Sequence, residues 1–411
     1  MRLKKFLVIP VIILLAIVCF GQIKSQFSTD AAAVEINTDS TANIAAPDEG
    51  YKAAVPGAEA EPSGNPALKL PESLWAGKDA GSGQTAADKP VLEIYKGPVR
   101  HIFFHPLIIY PERAFVGGSL SKGFNDWFVT VSEFRPIIES IYENDYILVS
   151  MDSVCSVEER DGVRTVKRGE LLLPKGKKPL VISIDDMNYY EYMRESGCAD
   201  RLYFDEQGHT AVESVGRDGV LRQSCEDIVP IVDEFVRQHP GFSLNGAKGI
   251  IALTGYEGIL GYRTDKIDSP EYEDDKALAV STVSRLKDEG WSFACHGYGH
   301  LDAAKVSTER LKKDCKRWME EVEPLIGRTP VYIYPYGSSL KYSDEKFELL
   351  KDNGFSIFCG VGPDGDIELK GDFAYLERKS VDGVSIYKNS RYLKDLFDCG
   401  KVLDPARPEE Y

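Results

Sequence analysis

From Val99 onward the sequence alternates between short unbroken apolar runs and longer stretches where apolar residues recur every three or four positions. Unbroken runs fit strands buried on both faces, and the wider spacing fits helices laid over them. The runs are His101–Tyr110, Tyr146–Val149, Pro179–Ile184, Gly249–Leu253, Gly290–Cys295, Val331–Tyr334 and Phe355–Phe358. Phe134, Ile137, Ile138, Ile141 and Tyr142 share one helical face, with Ser132 the expected cap and Asn144-Asp145 the end. Asp227–Gln238, Lys276–Glu289, Ser307–Val322 and Ser343–Asn353 repeat that pattern, the last with a serine cap and Gly354 beyond its end. The polar stretch Glu158–Lys178 reads as a loop with room for a hairpin. Residues 202–222 read as a β-hairpin insertion, with turns at Glu206-Gln207-Gly208 and Arg217-Asp218-Gly219. Strands alternating with helices predict an α/β fold of parallel units. Closed into a barrel, such units carry their chemistry at the C-terminal ends of the strands.

The segment before Val99 has a different character. Residues 24–96 are rich in Ala, Pro, Gly, Ser, Thr, Asp and Glu and show no apolar period, so a disordered linker is expected there. Residues 1–23 begin Met-Arg-Leu-Lys-Lys and continue with the apolar run Phe6–Phe20, the layout of an export signal. The run is short for a spanning helix, which needs about 20 residues. Cys19-Phe20-Gly21 is a poor cleavage site, so residues 1–23 are read as a membrane anchor in preference to a cleaved signal peptide. Arg2, Lys4 and Lys5 then stay in the cytoplasm and the body, residues 97–403, lies outside. A net charge of −16 with no basic stripe argues against a nucleic-acid partner. Of eight cysteines, seven fall in the body without a Cys-x-x-Cys pair, which argues against a thiolate zinc site.

Three strand ends carry the candidate chemistry. Asp185 and Asp186 follow Pro179–Ile184, and two adjacent carboxylates there are costly unless they bind something. His296 and His300 follow the run ending at Cys295, four residues apart, and Gly297 and Gly299 favour a shaped loop over a helix between them. One carboxylate and two imidazoles make a divalent-cation site, and a second carboxylate beside it can take a proton from water. At the third end Pro335 removes one N–H and fixes the turn, so the Tyr336 N–H can face a developing oxyanion. The set suits hydrolysis of an amide or ester. The loop Gly255–Arg263 lacks the G-x-G-x-x-G order of a phosphate cradle and reads as a wide loop bringing Tyr256 and Arg263 to a ligand. No G-x-S-x-G elbow is present for a serine hydrolase.

The order strand-Asp185-Asp186, strand-His296-x-x-x-His300, strand-Tyr334-Pro335-Tyr336-Gly337 resembles the polysaccharide deacetylase family, also called the NodB-homology or carbohydrate esterase 4 family. The resemblance spans roughly residues 99–390 and implies a deformed (β/α)7 barrel that removes N- or O-acetyl groups from sugars with a divalent metal. By motif Asp185 is the expected base, Asp186, His296 and His300 the metal ligands, and the Tyr336 backbone part of the oxyanion hole, with Pro335 beside the substrate. The family's C-terminal Leu-x-His, source of its general acid, is missing, since no histidine follows His300. The layout is similar to a permuted branch, the poly-N-acetylglucosamine deacetylases, in which a histidine on a strand ahead of the aspartates serves as acid. His105, in Phe104-His105-Pro106, holds that place. His101 lies four residues earlier on the same expected strand face, so alternation does not choose between them.

Further departures are Met187 after the aspartates, Ile333 where the family has arginine, and 110 residues from Asp186 to His296. The resemblance implies zinc, with Ni, Co, Mn or Fe as other candidates, and an acetylated polysaccharide as substrate; the expected state is a monomer, tethered to the membrane by the N-terminal segment. The alternative reading is a non-catalytic barrel that keeps the sugar cleft and the metal site.

Overall fold

The structure, a computed structural model, describes residues 90–362 and 367–408. The expected anchor at 1–23 and nearly all of the expected linker lie outside the described residues. Among the described residues no helix is long and apolar enough to cross a membrane.

Seven parallel strands close into a ring: β1 (Arg100–Phe104), β2 (Lys178–Asp185), β3 (Gly249–Leu253), β4 (Trp291–Cys295), β5 (Val331–Ile333), β6 (Ile357–Val361) and β7 (Ala374–Ser380). The ring runs β1-β2-β3-β4-β5-β6-β7 and back to β1, where Lys379 pairs with Ile102 and Ser380 with Phe103. Tyr146–Leu148 pairs with the N-terminal half of β2, Tyr146 opposite Lys178, below the part of β2 that pairs with β3.

Alternation along each strand sorts its side chains between two cores. Leu180, Ile182 and Ile184 join Ile102, Phe104, Phe134, Ile137 and Ile138 in the layer between strands and helices. Val181, Ile250, Ala252, Ala294, Ile333, Cys359 and Leu376 belong to a second cluster, which fills the ring. On that inner face Val181 is followed by Ser183 and Asp185, Ala294 by His296, and Leu376 by Arg378, all buried. The barrel interior is therefore an apolar plug capped by a polar layer at the C-terminal ends of its strands.

Several expected boundaries move. The helix over Phe134–Tyr142 runs Val131–Glu143 and is capped by Thr130, not Ser132, because Thr130 forms a capping box with Glu133. Asp344 rather than Ser343 caps Glu345–Asp352. The helix expected from Lys276 begins at Tyr272, its first turn carrying Glu273, Asp274 and Asp275 against the helix dipole. The first strand stops at Phe104, and Pro111–Ala114 and Gly118–Trp127 are helices missed in the sequence. Residues 92–94, assigned to the linker, form a strand pairing antiparallel with Leu172–Pro174. The stretch expected as a loop holds the hairpin Cys155–Arg160 with Val163–Arg168. The insertion is a three-stranded sheet, Arg201–Phe204, Thr210–Val215 and Leu221–Ser224, rather than a single hairpin.

Candidate active site

Asp185 ends β2 on the inner face and meets Arg378 of β7, whose Nη1 donates to Oδ1 at 2.7 Å and Nη2 to Oδ2 at 3.0 Å. Both residues are buried, at 3% and 0% exposure. Burial alone pushes the Asp185 carboxyl up, but the Arg378 guanidinium and then His296 outweigh it and hold the group at about 2. Arg378 also donates to Ser183 Oγ at 3.1 Å, and the same hydroxyl lies 3.0 Å from His101 Nε2. His101 thus sits one layer below the site, with burial lowering its pKa well below the ordinary value.

Asp186 would face away from Asp185 if the strand continued. Its φ of 60° turns it back, so both carboxylates enter the same space. Tyr190 donates its O–H to Asp186 Oδ1 at 2.8 Å, and Tyr256 stacks on the Tyr190 ring at 4.6 Å. Burial opposes ionisation of Asp186, but His300, His296 and His105 keep its pKa below the ordinary range.

His296 follows β4, and its Nδ1 is held by the Ile333 carbonyl at 2.8 Å. That bond places a proton on Nδ1 and leaves the Nε2 lone pair directed into the site. The loop to His300 is pinned by buried Asp314, which accepts from the Tyr298 and Gly299 amides, each at 2.8 Å. His300 has φ 50°, and its Nε2 lies 3.6 Å from Asp186 Oδ2. Burial lowers its pKa to about 4, so at neutral pH it presents a lone pair.

One donor atom from each of Asp186, His296 and His300 lies within 4.8 Å of the other two. An ionised carboxylate, a neutral imidazole and an imidazole oriented by a carbonyl fit a divalent cation. His105, just past β1, has Nδ1 at 3.0 Å from the Trp127 carbonyl and Nε2 at 3.9 Å from Asp186 Oδ2. Tyr336 follows Pro335 with φ 60°, and its half-exposed ring lies 4.5 Å from that of His300. Asp185, Asp186, His296, His300, His105 and Tyr336 therefore meet at one end of the barrel. Arg263 does not point at this centre, since its guanidinium donates to the carbonyls of Glu257 and Tyr189 and braces the loop.

The family model for polysaccharide deacetylase matches residues 264–358, the stretch that supplies His296, His300, Pro335 and Tyr336. That stretch is a polysaccharide deacetylase domain by its family model. No curated protein matches the chain in sequence. Among solved structures, it is similar to a polysaccharide deacetylase of Bacillus cereus at 13% identity and TM-score 0.38, covering 73% of this chain and 69% of that one. It is similar to IcaB of Ammonifex degensii at 11% identity and TM-score 0.39, covering 72% and 96%. A de-N-acetylase of Aggregatibacter actinomycetemcomitans matches at 13% identity and TM-score 0.40, covering 73% and 100%.

Three residues of this site are not apparent from the sequence: Arg378, Tyr190 and Asp314. Ala374, Leu376 and Arg378 share one face of their strand, but Glu377 and Lys379 on the other face blur the alternation that would mark it. Tyr190 and Asp314 act from turns and helices whose approach to the site only the fold reveals.

Proposed function

We propose that the chain is a metal-dependent deacetylase acting on an N-acetylated polysaccharide outside the cytoplasm. The carrying observation is the cluster of Asp186, His296 and His300 with the ionised, Arg378-bound Asp185 beside it. Asp186, His296 and His300 would hold a divalent cation, which would supply Lewis acidity toward the acetyl carbonyl and water. Asp185 takes the proton of the attacking water, its carboxylate oriented by the guanidinium fork. The backbone N–H of Tyr336 supports the oxyanion, and the exposed Tyr336 ring offers a face to the sugar. His105, as the imidazolium, delivers its Nε2 proton to the leaving nitrogen and is left as the neutral imidazole, because an amide anion is a poor leaving group.

His105 is favoured over His101 by placement. His101 is 4% exposed and engaged with Ser183, whereas His105 stands off the strand end with Nε2 directed to the ligand cluster. The aromatic wall of Tyr256 on Tyr190 suits a sugar ring stacked at the rim. A location outside the cytoplasm rests on the basic and apolar start of the sequence.

The test is acetate release from N-acetylated oligosaccharides and from an aryl acetate, with and without chelator. Chelation should abolish both activities, and added divalent metal should restore them. His105→Ala should keep bound metal and lower kcat on the N-acetyl substrate by about 10²–10⁴-fold, with a smaller loss on the aryl ester, whose leaving group needs no proton. Activity that survives chelation rules out the metal-dependent reading. Metal binding without any acetate release favours a binding barrel.

A further inference from the structure

The C-terminal segment carries a buried cation that the proposed mechanism does not use. Arg407 is 5% exposed and faces Glu133, at 0%. Its fork donates to Glu133 Oε2 at 2.7 Å, to the Asn125 carbonyl at 2.8 Å, to Asn125 Oδ1 at 2.9 Å and to the Phe128 carbonyl at 2.6 Å. Asp404 completes the clasp: Thr130 Oγ1 donates to its Oδ2 at 2.7 Å, and its own amide donates to Glu133 Oε1 at 3.1 Å. The carbonyls gripped by Arg407 bracket Trp127 in sequence. The Trp127 carbonyl holds Nδ1 of His105 at 3.0 Å, and the Phe128 ring lies 5.2 Å from the His105 imidazole.

A buried Arg–carboxylate pair is roughly break-even in stability against apolar side chains of the same volume. What the guanidinium adds is geometry. One rigid fork reaches two carbonyls of one turn and a carboxylate together, which a lysine ammonium does not reproduce. The turn so fixed sets the Trp127 carbonyl, which accepts the Nδ1–H of His105, so that in the imidazolium the Nε2–H is the proton left to face the cluster.

We propose that Arg407 is a positioning residue for the reaction, acting through the Asn125–Phe128 turn to aim His105 Nε2 at the ligand cluster. This rests on the reading of His105 as the acid. The test uses the full, metal-loaded chain with Arg407→Lys and Arg407→Ala, each alone and combined with His105→Ala. Arg407→Lys should lower kcat on an N-acetyl oligosaccharide by about tenfold or more and leave aryl-acetate turnover within about twofold. Bound metal should be unchanged. Added to His105→Ala, the substitution should cause no further loss, since both act through one group.

Equal losses on both substrates, or a loss that adds in full to that of His105→Ala, would show general loosening and overturn the proposal. If Arg407→Ala does not fold, Arg407→Lys, which keeps a charge opposite Glu133, gives the reading. Failure of the lysine variant to fold also overturns it, because the residue then serves the fold alone. Near-unchanged amide turnover in His105→Ala by itself would instead remove the acid role, whatever Arg407 does.

Discussion

Replacing Arg378 by methionine isolates what the guanidinium does for Asp185. The change removes two hydrogen bonds, at 2.7 and 3.0 Å, from a carboxylate that stays buried. With Arg378 in place the Asp185 carboxyl sits at about 2, below its ordinary range. A depressed carboxyl contributes stability above its unfolded pKa and loses it as pH falls through the folded one. Here that window runs from about 4 down to about 2 and is worth about 2–3 kcal/mol. Without the counter-charge only burial and the histidines remain. Stranding a buried charge costs about 3–5 kcal/mol, and the carboxyl sheds that cost by binding a proton, which corresponds to roughly 2–4 pH units. Asp185 should then titrate at about 4–6. The assay is kcat/KM for acetate release by metal-saturated enzyme from pH 4 to 9. The variant should show an acid limb that the parent lacks in this range. Its plateau should be about 10–100-fold lower, part of the 10²–10⁴ that a positioned base supplies. Arg378→Lys should fall between, because an ammonium keeps the charge but loses the fork. A folded, metal-loaded methionine variant whose pH profile overlays the parent's would refute the reasoning.

Tyr190→Phe removes the 2.8 Å bond to Asp186 Oδ1 and should weaken metal binding about 10–100-fold in competition with a chromogenic chelator, while an unchanged affinity would deny Tyr190 that role. A chain beginning at residue 90 should melt a few degrees above one beginning at 97, because the latter lacks Leu92–Ile94 and leaves the edge of Leu172–Pro174 unpaired; equal melting would make that strand pair energetically idle.

The strand ends were legible because their signals were local: an apolar run, then Asp185-Asp186, His296 or Pro335. Arg378 was not, because its strand reads Ala-Tyr-Leu-Glu-Arg-Lys-Ser, with charged residues on both faces. Only ring closure shows that its inner face lies in the barrel and that a buried arginine there meets a carboxylate from β2. Alternation alone did not separate His101 from His105 for a related reason. Spacing of four gives both the same face only while the strand lasts, and β1 ends at Phe104. The helix caps shifted because Thr130 and Asp344 have the first free amides within reach, a matter of one or two residues that periodicity does not resolve.

The left-handed residues tie these observations together. Asp186, His300 and Tyr336 have φ of 60°, 50° and 60°, and each stands beside the ligand cluster. Glycine would relax the backbone at all three positions, yet glycine has no carboxylate, imidazole or ring to offer. Strain of this kind, of order 1 kcal/mol or more per residue, persists only where surrounding contacts fix the conformation. Those contacts are present: Tyr190 holds the Asp186 carboxylate, Asp314 holds the loop before His300, and Pro335 sets the turn before Tyr336. The gain is density of function. Successive residues of an extended strand point to opposite faces, so Asp185-Asp186 could otherwise place only one carboxylate in the lumen. The reversal at Asp186 puts the proposed base and a proposed metal ligand side by side from adjacent positions. One of the two is bound to Arg378 and the other faces two imidazoles, so their environments differ although their residue types do not. That division of labour is what the barrel end is built to maintain.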